Sequence, residues 1–148
     1  MRTKKESEKI IRRFFRIFWF LKKPKVFILL TPKRMAELQK ARNAGDASYG
    51  RLEDGRDAII LSRNFKIYHL AHEAVHSTIN FKTKFWSEFL AYSFSYLFNW
   101  YNLFCLSLLF AQVVFVTGNW AMAFGYIILI NFLVSFLTVL YIKIKDKW

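Results

Sequence analysis

From Phe89 to Ile142 the chain runs for 54 residues without a single Asp, Glu, Lys or Arg. About 20 apolar residues suffice to cross the hydrocarbon core of a bilayer, and no soluble domain leaves so long a stretch uncharged. The stretch therefore predicts a membrane protein. Its clearest break is Thr117-Gly118-Asn119, which divides it into two spans, about 93–117 and 120–142. No Gly or Pro falls between Phe85 and Thr117, so a helix that starts near Lys84 is expected to continue unbroken into the first span. The surplus of apolar residues, 55% overall with 17 Phe, is concentrated here and exceeds what a soluble core would use.

The charge lies at the other end. Ten of the 23 Lys and Arg fall within residues 1–25, against two acids, Glu6 and Glu8. Beside membrane spans, such a segment is explained by anionic lipid head groups, and no nucleic acid partner is expected. Within it, Ile10, Ile11, Phe14, Phe15, Phe18 and Leu21 share one side of a helix, with Arg12, Arg13 and Arg16 largely opposite. That pattern predicts a basic amphipathic segment over residues 1–24 lying on the membrane surface; the competing reading packs the same helix on the protein's own core. Arginines interrupt the apolar run and no small-residue cleavage site follows it, so a signal peptide is not expected. Cys105 is the single cysteine, which excludes an intramolecular disulfide and a thiolate-based metal site.

The positive-inside rule orients the two spans. The 117–119 loop has no basic residue, whereas both flanks are rich in Lys and Arg, including the short basic tail 143–148. A multi-pass membrane protein with both termini and residues 1–88 in the cytoplasm is expected.

Residues 25–92 read as a small α+β domain. "KVFILLT" (25–31) has the composition of a buried strand. Thr31-Pro32 is a helix cap followed by proline at the first helical position, and the helix should stop at Gly45. "DASYGRL" and "RDAIILS", joined by Glu53-Asp54-Gly55, predict a β-hairpin with a primed turn. A helix follows from about Asn64 to Asn80, then a polar loop, then a helix capped by Thr83. No internal repeat or low-complexity tract is found.

The first of these two helices contains all three histidines, in "YHLAHEAVH". His72 and His76 are four apart, so they lie on one helix face and can both reach one tetrahedral metal ion. Glu73 sits beside that ion rather than on it, where it can take a proton from the attacking water and pass it to a leaving amine. A catalytic zinc needs a third protein ligand. His69 is on the same helix but about two turns from His76, which places it poorly for the same ion. Glu88, in "SEFLAY", is the only acid between Glu73 and Asp146, and a glutamate at the edge of an uncharged stretch needs a partner. These two candidates remain.

The pattern "HEAVH", eleven residues, then "EFLAY" resembles the gluzincin metallopeptidases, and the short gap and small domain most resemble the minigluzincins. The resemblance covers about Lys25 to Tyr92. It implies a minimal zincin-like domain of strand, helix, β-hairpin, active-site helix and glutamate helix, here followed by a two-helix transmembrane hairpin. It implies His72, His76 and Glu88 as ligands of one catalytic Zn2+, Glu73 as general base, Ala91 as the small residue at a helix contact, and Tyr92 as a catalytic aid to the oxyanion. It further implies a polypeptide substrate, held along the edge strand before the active helix, within 47–52 or 57–62. The expected departures from that family are a glutamate helix that continues into a membrane span and no separate C-terminal subdomain to complete a substrate cleft.

Two functions compete. One is a membrane-anchored zinc metallopeptidase whose Glu73 activates water at the zinc, acting on polypeptides near the bilayer. The other is a non-catalytic membrane adaptor whose basic segment binds lipid or protein. Cleavage inside the bilayer is disfavoured, because Arg63, Lys66, Lys82 and Lys84 keep the histidine helix from being a span.

Overall fold

The computed structural model describes residues 2–42, 47–79 and 83–146. Among them the chain forms six helices and one three-stranded sheet, and it divides into two compact units, Met1–Asn80 and Phe81–Trp148.

The first unit opens with α1, Lys4–Ile17. Thr3 and Glu6 form a reciprocal capping box: the Glu6 amide donates to Thr3 Oγ1 at 3.3 Å, and the Thr3 amide donates to Glu6 Oε2 at 2.7 Å. Ile11, Phe14 and Phe15 on one face are buried, and the Phe15 ring lies 5.7 Å from that of Phe27. The amphipathic face expected to meet the bilayer is thus spent on the unit's own core, because a sheet of three short strands needs an apolar cover. What α1 leaves in water is its arginine face and the turn that follows.

β1 (Val26–Leu30), β2 (Ala47–Arg51) and β3 (Asp57–Ser62) order as β1-β3-β2. β1 runs parallel to β3 with Val26 opposite Ala58, and β2 antiparallel with Ala47 opposite Leu61. The strand expected to be buried, β1, is an edge strand that is only half-buried along its length. The central place belongs to β3, whose Ile59 and Leu61 are fully buried.

α2, Pro32–Arg42, starts where the Thr31-Pro32 pair predicts, with the Arg34 amide donating to Thr31 Oγ1 at 3.4 Å. Its expected stop at Gly45 lies outside the described residues. The hairpin forms, but its connection has three residues rather than a two-residue primed turn. Leu52 and Arg56 pair through an amide–carbonyl bond of 2.9 Å, the Gly55 amide closes a turn onto Leu52 O, and Gly55 takes a φ of 78°. Glycine in the left-handed region is what a three-residue hairpin loop demands at its last position. α3, Ile67–Thr78, is the histidine helix.

The second unit holds α4 (Lys84–Tyr96), α5 (Trp100–Thr117) and α6 (Trp120–Asp146). α5 and α6 are long and apolar enough to cross a membrane, and they carry side chains such as Phe115, Trp100 and Leu129 well exposed outside the unit. Gly118, with a φ of 63°, ends α5, and Asn119 Oδ1 accepts from the amides of Ala121 and Met122 to start α6.

The unbroken helix expected from Lys84 into the first span is not found. α4 stops at Tyr96, its last turn tightening into bonds from Phe98 to Ser95 and Asn99 to Tyr96, and Asn99 Oδ1 then caps α5 by accepting from the Tyr101 amide at 3.1 Å. The first candidate span accordingly begins at Trp100 rather than near residue 93. A helix that ends early strands its last carbonyls. One of them, Ser93 O, accepts from Asn131 Nδ2 of α6 at 3.0 Å, and Tyr96 and Thr138 join hydroxyls at 2.7 Å. Phe85 and Phe89 complete the α4–α6 seam against Phe136 and Phe132.

Candidate metal centre

α3 is fixed at both ends by the N-terminal segment. At its start, the Arg2 guanidinium donates to Phe65 O at 2.7 Å and Ser7 Oγ donates to Arg63 O at 3.2 Å. At its end, Ser77 Oγ donates to Lys22 O at 2.7 Å, and the Lys22 amide donates to Thr78 Oγ1 at 2.8 Å. Between these clamps Leu70, Ala71 and Ala74 are fully buried. The apolar spacing that made the segment a helix therefore also sets which way its remaining side chains face.

On the other side stand His72 and His76, both half-buried, with their Nε2 atoms 3.1 Å apart. Glu88 of α4 completes a group: His72, His76 and Glu88 each offer one ligand atom, and the three atoms lie within 4.8 Å of one another. Two imidazole nitrogens on one tetrahedral zinc, at roughly 2.0–2.1 Å each, stand about 3.4 Å apart. The histidine pair fits such a site, and the carboxylate supplies the hard oxygen donor that joins two imidazoles at many zinc and transition-metal centres. A His-His-Glu group of this kind can hold a metal ion.

Glu73 lies on α3 next to His72, outside the ligand group, with only 8% of its surface exposed. Tyr92 is one turn beyond Glu88 on α4, its ring 5.9 Å from that of Tyr96. Ala91 is fully buried. His69 does not join the group; its ring packs 4.2 Å from that of Tyr68. Of the two candidates left open by the sequence, Glu88 is the one that lies in a group with His72 and His76.

The clamp residues Arg2, Ser7, Lys22, Ser77 and Thr78 carry no signal in the sequence, since each partner lies 55 to 63 positions away. Lys22 does more than close α3. Its Nζ lies 3.4 Å from Asp57 Oδ2, at the start of β3, and Arg51 Nε lies 3.7 Å from Asp57 Oδ1. A hydrogen bond from Tyr49, aided by the Lys22 and Arg51 charges, holds the Asp57 carboxyl below the usual range. Burial, and then the Asp57 carboxylate, push the Tyr49 hydroxyl up.

Comparison with protein-family models, with curated proteins and with solved structures finds no match to this chain.

Proposed function

We propose that the chain is a membrane-anchored zinc metallopeptidase of gluzincin type. The observation that carries this reading is the convergence of His72, His76 and Glu88, with a buried glutamate, Glu73, directly after the first histidine. A site that only held a metal for stability would have no use for that glutamate.

In this reading His72, His76 and Glu88 hold one Zn2+, which when bound supplies Lewis acidity to a peptide carbonyl and to water. Glu73 takes the proton of the attacking water at its carboxylate as the new carbon–oxygen bond forms. It returns that proton to the amine as the carbon–nitrogen bond breaks. The Tyr92 hydroxyl donates to the oxyanion that develops on the way. An extended polypeptide substrate adds to the sheet along β2, since β3 has strands on both sides and cannot accept another. In this reading α5 and α6 cross the membrane as a hairpin, and the basic flanks support an orientation with both termini in the cytoplasm.

The test is metal content and proteolysis on the purified chain in detergent. About one zinc per chain is expected, with Glu88→Ala losing most of it and Glu73→Gln keeping it without peptide hydrolysis. A parent protein that takes up no zinc from metal-replete buffer would leave the adaptor reading in its place.

A further inference from the structure

α1 divides its residues between two tasks. Its apolar stripe is buried, and its opposite face, with Arg12, Arg13 and Arg16, is exposed. Where the helix ends, three large apolar side chains come into water together: Ile17 at 66%, Trp19 at 81% and Phe20 at 57% exposure. Trp19 and Phe20 meet edge to face with ring centroids 6.4 Å apart, so the tip is arranged rather than trailing. Lys22 and Lys23, both exposed, follow at once. The core does not need this tip, because Phe14, Phe15 and Leu21 already fill it.

From this geometry we infer that the end of α1 is a docking surface for an anionic bilayer. Ile17, Trp19 and Phe20 insert at the head-group level, and the arginine face with Lys23 meets lipid phosphates. Tryptophan at an interface and a basic cluster beside it satisfy the two needs of such a contact, apolar burial and charge neutralisation. Both signs on this surface fit lipid: ten basic residues stand against two acids in residues 1–25. A nucleic acid would meet the arginines but would leave aliphatic Ile17 without a partner. The inference uses the anchoring by α5 and α6 proposed above and none of the peptidase chemistry. It differs from a helix lying flat on the membrane, because the helix face itself is inside the protein.

Cys105 is the chain's one cysteine, so Cys105→Ser with Ile17→Cys gives a single site for a nitroxide label while keeping both aromatic rings. The full chain is placed in nanodiscs of phosphatidylcholine, with and without phosphatidylserine. Its recovery in discs reads the anchoring separately from the label. In serine-lipid discs the label should lose access to a water-soluble nickel chelate and gain access to oxygen. High salt should weaken that protection, and R12Q/R13Q/R16Q or W19A/F20A should abolish it. Equal nickel access in both kinds of disc would overturn the inference. So would protection already present in detergent, spin–spin broadening from a second copy, or protection by an added oligonucleotide with no response to phosphatidylserine.

Discussion

The Nε2 atoms of His72 and His76 lie 3.1 Å apart, one turn from each other on α3. At that distance one ring can donate to the other or both can face one ion, and the carboxylate of Glu88 lies in the same group. Replacing either histidine by alanine removes one of three donors from half-buried positions, while the fully buried face of α3 at Leu70, Ala71 and Ala74 is left intact. Zinc affinity should fall by at least about 100-fold, more than the loss of an outer partner costs, with the thermal midpoint of the metal-free protein nearly unchanged. Chelator competition and a melting curve on each variant check this.

The second unit makes a prediction of its own. Asn131 sits midway along α6 and donates to Ser93 O, a carbonyl freed by the end of α4. Asn131→Leu leaves that carbonyl without its donor and should cost about 0.6–2 kcal/mol, the range of interhelical hydrogen bonds in bilayers. Asn131→Gln, longer by one methylene, should recover part of it. Unfolding in mixed detergent micelles, read for both variants against the parent, measures the difference.

How much of this was legible beforehand depends on whether the cause was local. Thr31-Pro32, Asp54-Gly55 and Gly118-Asn119 are local signals, and each marks a boundary that the structure has. The His-Glu-x-x-His pair is local too, and Glu88 was reachable because it is the only acid in a long interval. The break at 97–99 was not legible. No Gly or Pro announces it, and the donor that satisfies Ser93 O comes from Asn131, 38 positions on. The same holds for α1: its amphipathic pattern is identical whether a bilayer or a sheet covers it, and only the contact with Phe27 decides. The edge position of β1 was likewise hidden, because an apolar, β-branched run reads the same in a half-buried strand as in a central one.

A pH dependence follows from Asp57. Its carboxyl titrates below the usual range in the folded protein, first because Tyr49 donates to it and then because Lys22 and Arg51 stand beside it. A lowered folded-state pKa stabilises the fold above the ordinary carboxylate range, and that contribution disappears as pH falls through the lowered value. Asp57→Asn should therefore be less stable than the parent at neutral pH, and the gap should close in acid. The comparison is made on metal-free protein, so that loss of metal in acid does not enter, with denaturant midpoints followed from neutral to acid pH. A gap that stays constant across the range would show that Asp57 acts through packing instead.

α1 should behave as part of the histidine helix's unit rather than as a detachable segment. Phe14 is 3% exposed and Trp19, five residues on, is 81% exposed. Phe14→Ala opens a cavity in a core that also contains Phe15 and Leu21, at a cost of about 3–5 kcal/mol. Trp19→Ala removes a larger ring from water and should change stability by no more than about 0.5 kcal/mol. Because Arg2, Ser7 and Lys22 hold both ends of α3, the Phe14 variant should also lose zinc at a lower temperature than the parent, while the Trp19 variant should not. Melting followed by near-ultraviolet circular dichroism, with released zinc read by a colorimetric indicator in the same cuvette, tests both halves. Equal behaviour of the two variants would mean that α1 is not packed against the unit that carries the histidines.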